Sequence, residues 1–225
     1  MTLTRGGGPL STPHPADVNY VIEGPKHLLL ATAFPRRVRA DVGGRTVLDT
    51  EGAVLVHESN LHFAVYLPQA DLQVELEPSA TVTHCPFKGD ASHWNVNGVA
   101  DAAWSYEDPL PAARWLKGLV ALYPDKVDGW WDEDEAVRGL RDPYHRCDVR
   151  RRGDELILSE TGMPNRVYVP RAAVTGTLER SETTTHCPYK GDATYWNVDG
   201  EADAAWSYEE PYGEVEAIRG HLSFA

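Results

Sequence analysis

Residues 81–109 read TVTHCPFKGDASHWNVNGVADAAWSYEDP, and residues 183–211 read TTTHCPYKGDATYWNVDGEADAAWSYEEP. The offset is a constant 102 residues, and 22 of the 29 positions are identical. Several of the differences keep side-chain size: Phe87/Tyr189, Ser92/Thr194, Asn97/Asp199 and Asp108/Glu210. The register persists upstream, where Glu58 matches Glu160 and Tyr66-Leu67-Pro68 matches Tyr168-Val169-Pro170. Two copies at a domain-sized period mean an internal duplication, not a solenoid.

The centre of the repeat predicts a β-hairpin. Asn97-Gly98 lies between β-rich runs and suits a two-residue type I′ turn, and Asp199-Gly200 does the same in the second copy. With that turn, Val96 is expected to face Val99, Asn95 to face Ala100, Trp94 to face Asp101 and His93 to face Ala102. Side chains alternate, so Trp94, Val96, Val99, Asp101 and Ala103 share one side. His93, Asn95, Ala100, Ala102, Trp104 and Tyr106 share the other. Val38–Val42 followed by Gly43-Gly44 predicts a second hairpin, and Leu72–Leu76 alternates as a half-buried strand. Ala112, Leu116, Leu119 and Val120 predict a helix over Pro111–Leu122, and Val215–Leu222 offers its counterpart.

Working outward, 225 residues at about 150 per domain leave room for one large domain or two small ones, and the repeat decides for two. The segments read as a leader over 1–17, a first copy over 18–131, a linker over 132–145 and a shorter second copy over 146–225. The first copy is expected to carry an extra leading segment, Val18–Arg37, and the second is expected to lack a counterpart of Lys126–Trp131. With 21 Lys plus Arg against 34 Asp plus Glu, the net charge is −13. That argues against nucleic-acid binding and against docking on an anionic membrane. No apolar run reaches the roughly 18–20 residues of a membrane helix. Cys85, Cys147 and Cys187 are odd in number and form no CxxC, so free thiols in the cytoplasm are expected, with neither a zinc knuckle nor another cofactor.

The repeated chemistry offers several candidates. Trp104 and Tyr106, with Trp206 and Tyr208, stand beside small alanines and can line a pocket or fill a core. Trp94 and Trp196 add aromatic surface, and Asp101 is a candidate acceptor for the Trp94 indole. His84-Cys85 and His186-Cys187 invite a Cys/His reading, but neighbours in an extended segment point opposite ways. Lys88 and Lys190 sit in a Lys-Gly-Asp turn, either paired with the local Asp or presented at a pocket mouth. Glu58 and Glu160 are carboxylates on apolar strands, either edge positions or acid–base groups. Glycine clusters lack the context of a phosphate loop.

The string HCPxKGDAxxWNV…ADAAWSY with its preceding YLP element resembles the bacterial domain-of-unknown-function family numbered 427. Gly24-Pro25-Lys26-His27, Val38-Arg39 and Tyr123–Asp128 are also similar to it. The resemblance implies a β-tent, two antiparallel sheets meeting at an angle, as in methionine sulfoxide reductase type B and the thalidomide-binding domain of cereblon. Some β-tent proteins hold zinc on paired CxxC knuckles, from which this sequence departs. Others hold a cyclic ligand in a tryptophan cage, a part that Trp94, Trp104 and Tyr106 would play here. A name attached to the family suggests nucleotidyl transfer. Such transfer needs clustered acidic metal ligands, and Asp101 and Glu107, repeated as Asp203 and Glu209, make no triad.

The expected architecture is therefore mainly β with a minor α part: two tandem β-tent-like domains, each with one C-terminal helix, packed as a pseudo-dimer in a monomeric chain. The expected function is binding of a small molecule in an aromatic-lined pocket. The alternatives are an enzyme using Cys85/Cys187 or a Glu/His/Lys group, and a protein-interaction module.

Overall fold

The computed structural model describes residues 27–59 and 61–224. The expected leader over 1–17, and the expected leading segment up to residue 26, lie outside the described residues. The chain divides into two compact units, residues 1–128 and 129–225. The first contains β1 (Leu29–Ala33), β2 (Val38–Val42), β3 (Arg45–Thr50), β4 (Val54–Glu58), β5 (Ala64–Pro68), β6 (Leu76–Cys85), β7 (Gly89–Val96), β8 (Val99–Ser105) and β9 (Leu119–Leu122). The second opens with a short hairpin, β10 (Gly129–Asp132) and β11 (Glu135–Val137). It continues with β12 (Cys147–Arg152), β13 (Glu155–Glu160), β14 (Arg166–Pro170), β15 (Leu178–Cys187), β16 (Gly191–Val198), β17 (Glu201–Tyr208) and β18 (His221–Phe224).

Each copy is built on seven antiparallel strands with the same order. In the first it is β1-β4-β5-β9-β8-β7-β6, and in the second β12-β13-β14-β18-β17-β16-β15. Strand β5 pairs with β4 through Ala64–Tyr66 and with β9 through Leu67–Pro68, so it joins two strand groups. Strand β14 does the same between β13 and β18. The architecture is two tandem β domains with little helix.

The length difference between the copies lies inside the fold. Strand β12 turns into β13 at Gly153-Asp154, with Gly153 at φ 63°. In the first copy the β2–β3 hairpin is inserted between the equivalent strands, β1 and β4. Leu29 opposite Glu58 thus corresponds to Cys147 opposite Glu160, and His27 to His145.

Neither segment expected to form a helix is an α-helix. Pro111–Leu116 is a 3₁₀ turn with a non-helical Ala113 (φ −113°, ψ 16°), and Leu119–Leu122 is strand β9. Gly213–Ile218 and β18 repeat the pattern. Gly118 at φ 80° and Gly220 at φ 73° end the turns. Six residues between a proline and a left-handed glycine are too few for a stable α-helix, and a short apolar run reads equally as strand.

The central hairpin keeps its Asn97-Gly98 turn at φ 46° and 80°, as a type I′ turn requires. Its register differs from simple pairing. Val96 faces Val99, but Trp94 faces Ala103 and His93 faces Trp104. A bulge at Asp101, in the left-handed region at φ 49°, absorbs two residues. The Asp101 N–H donates to Asn95 Oδ1 at 3.0 Å, the bond that the bulge takes from the ladder. Asp203 and Asn197 repeat this arrangement in the second copy. A two-residue slip preserves which face each side chain occupies.

The core of the first copy gathers Val56, Tyr66, Ala91, Tyr106, Ala113, Leu116 and Ala121, with Cys85 and Trp104 packed against it. The second gathers Cys147, Leu156, Leu158, Tyr168, Ala193, Tyr208, Val215 and Ile218, with Cys187, Tyr189 and Trp206 against it. Among the described residues, no helix is long and apolar enough to cross a membrane.

Candidate functional site

Glu58 is the last residue of β4 and is 8% exposed. A buried carboxylate needs partners, and the fold supplies two from distant segments. Lys88, also 8% exposed, comes from the β6–β7 turn and donates from Nζ to Glu58 Oε2 at 2.5 Å. His27 comes from just before β1 and bonds Glu58 Oε1 through Nε2 at 2.7 Å. The ring of His27 stacks on Phe87 with centroids 3.7 Å apart and planes 4° apart.

The turn that carries Lys88 is shaped for this. Lys88 N–H donates to Cys85 O, Lys88 O accepts from Leu110 N–H, and Gly89 takes φ 107°. The Lys-Gly-Asp sequence therefore does not close a local Lys–Asp pair. Asp90 bonds His84 Nδ1 at 2.6 Å on the exposed side instead, which takes His84 away from the buried cluster.

The second copy rebuilds the cluster. Lys190 Nζ donates to Glu160 Oε2 at 2.5 Å, and His145 Nε2 bonds Oε1 at 3.0 Å. His145 stacks on Tyr189 at 3.7 Å. Burial pushes the Glu160 carboxyl up, but hydrogen bonds from Lys190 and His145 outweigh it and hold the carboxyl below its usual range. Burial also works against the Lys190 ammonium. Its bond to Glu160 and the neighbouring Cys187 outweigh burial and raise it above the ordinary lysine value.

An aromatic file continues on the same sheet face. The Tyr106 hydroxyl lies in hydrogen-bonding reach of the Cys85 thiol and feels Tyr66 and Glu58; burial, first of all, pushes it well up. Tyr66, 2% exposed, is pushed to about 12, mainly by burial. The half-buried Trp104 donates from Nε1 to Tyr66 Oη at 3.3 Å and stands edge-on to its ring. Tyr123 lies 4.4 Å from Trp104, and the buried His93 stacks near Tyr123 at 5.9 Å. In the second copy Trp206 lies in hydrogen-bonding reach of Tyr168, sits 6.3 Å from Tyr195 and carries Arg166 over its ring at 5.3 Å.

Trp94 and Trp196 belong to the other face. The Trp94 indole donates to Ser105 Oγ at 2.7 Å, not to Asp101, and Ser105 donates to Glu107 at 2.5 Å. Trp196, Ser207 and Glu209 repeat the chain, with Arg171 bound to Glu209 and stacked over Trp196. Of the sequence candidates, Glu58, Lys88, Cys85, Tyr106 and Trp104 come together, as do their second-copy equivalents. Trp94, Trp196 and His84 do not join them. His186 bonds Asp192 at 2.7 Å and lines a depression of about 330 Å³ with Arg138, Arg180, Thr184 and Thr185, which no Trp or Tyr enters.

His27 and His145 are the residues the sequence reading missed. Pro25-x-His27 and Pro143-x-His145 do recur, but at an offset of 118, outside the 102-residue register. The inserted β2–β3 hairpin hides the correspondence.

The HCPxKG block and the Glu58–Lys88 and Glu160–Lys190 pairs lie within a family match that covers residues 30–133 and 150–225, described as a domain of unknown function, DUF427, while His27 and His145 fall just outside it. The chain belongs to this family. It holds two copies of the DUF427 domain in tandem. No curated protein matches the chain.

Proposed function

We propose that each DUF427 copy binds a small, planar, polar molecule on the face that carries the ionic cluster and the aromatic file. The observation that carries this is the repeated buried trio Lys88–Glu58–His27 and Lys190–Glu160–His145. Burying an ion pair is seldom the most stable solution, because well-packed apolar residues of similar volume do as well or better. Two copies nonetheless keep it, beside Tyr66–Trp104 and Tyr168–Trp206, which offer a stacking surface and hydrogen-bonding groups. The chain acts as a monomer in the cytoplasm in this reading, consistent with its three free cysteines.

A thermal-shift screen against nucleobases, nucleotides, cyclic imides and amines tests the proposal. A ligand at one hundred times its Kd adds about 2.7 kcal/mol. The expected result is a hit abolished by Trp104→Ala together with Trp206→Ala. A hit that survives both changes overturns the assignment of the face.

A second reading, thiol chemistry, is favoured by the Cys187 sulfur lying in hydrogen-bonding reach of the Lys190 ammonium. A neighbouring cation favours the thiolate. This reading predicts that Cys187 reacts with iodoacetamide faster than free cysteine at pH 7. Labelling slower than free cysteine removes it.

A further inference from the structure

The two clusters differ at one position that changes their chemistry. Opposite Glu58 the first copy has Leu29, and opposite Glu160 the second has Cys147. His145, Cys147 and Glu160 bring one imidazole nitrogen, one sulfur and one carboxylate oxygen within 4.8 Å of one another. We infer that the second copy is a binding site for a divalent transition metal of zinc type, held by His145 Nε2, Cys147 Sγ and Glu160 Oε1. This goes beyond the small-molecule reading and does not depend on it.

The donor set suits zinc, which takes nitrogen, sulfur and carboxylate oxygen at about 2.0–2.3 Å in tetrahedral sites. His145 Nε2 and Glu160 Oε1, now 3.0 Å apart in a hydrogen bond, need to open slightly to admit an ion between them, with Cys147 Sγ closing on the same point. Lys190 holds the other carboxylate oxygen, Oε2, and stays there as an outer partner that orients the ligand. Cys147 gives up its proton to solvent on binding, and His145 binds as the neutral ring with its proton on Nδ1.

Cys187 is not among the three converging atoms, and to serve as the fourth donor it has to move in toward the ion. It packs against the cluster that contains Cys147 and adjoins Lys190. With both sulfurs as thiolates, three anionic donors balance the two charges of the ion and the one of Lys190. A buried site gains from that neutrality. The first copy lacks the set, because Leu29 replaces the key sulfur with methyl groups.

The test uses the full chain, stripped with a chelator, dialysed, and titrated with cobalt(II) as a zinc probe. The expected result is one cobalt per chain with thiolate-to-cobalt charge-transfer absorption. Cys147→Leu, which installs the side chain the first copy already accommodates, is expected to abolish uptake while far-ultraviolet circular dichroism is unchanged. Cys187→Ser is expected to weaken uptake at least tenfold, and the exposed His62→Ala control to leave it intact. Leu29→Cys is expected to raise uptake to two equivalents. Cobalt retained by Cys147→Leu, substoichiometric uptake by the parent chain, or uptake that stays at one equivalent in Leu29→Cys overturns the inference.

Discussion

Replacing Lys88 with methionine separates the two roles a buried ion pair can have. Met fills the space of the lysine stem but carries no charge. Glu58 then keeps only the 2.7 Å bond to His27 inside a site where it is 8% exposed. Removing one partner of a buried pair costs about 3–5 kcal/mol, because the other charge is left uncompensated. The surviving His27 bond puts Lys88→Met at the lower end, about 3 kcal/mol. At a urea slope of about 2 kcal/mol per M, the unfolding midpoint of the first copy falls by about 1.5 M. Circular dichroism and tryptophan fluorescence should be followed together, since a chain of two compact units can unfold in two steps. The double change Lys88→Met/Glu58→Leu removes both charges and is expected to lie within about 1 kcal/mol of the parent chain. Its stability with loss of ligand binding is the signature of a functional cluster. A single variant costing less than about 1 kcal/mol, in the range of an exposed pair, refutes the burial argument.

Three further outcomes follow from the geometry. The Glu160 carboxyl sits below its usual range in the folded chain, so its contribution is full above the unfolded value of about 4.3 and is lost as pH falls through the lower folded value. Glu160→Gln is therefore expected to flatten the acid limb of the stability curve measured by urea unfolding. Burial pushes the Cys147 thiol to about 12, so iodoacetamide at pH 8 is expected to modify it in urea but not in the folded, metal-free chain, read by peptide mass spectrometry. Asn95→Ala strips the Asp101 N–H of its partner at the bulge and should cost about 1–3 kcal/mol, with Asn197→Ala matching it in the second copy.

Local chemistry wrote much of this protein into its sequence. The duplication, the β-rich composition and the Asn97-Gly98 and Asp199-Gly200 turns are visible because each depends on neighbouring residues alone. Candidates such as Glu58, Lys88 and Cys85 stood out because charged and sulfur-bearing residues recur inside an apolar repeat. The 3₁₀-plus-strand identity of Pro111–Leu122 did not, since a short buried apolar run has no period of its own. The bulge at Asp101 escaped for a different reason. Its extra residues are held by the side chain of Asn95, a choice that a turn dipeptide cannot report. The ionic cluster needed the tertiary structure most, because Lys88 is 30 residues from Glu58 and His27 is 31. Only the pairing of β1 with β4, across an inserted hairpin, brings that histidine to its carboxylate and sets Cys147 where the first copy has Leu29.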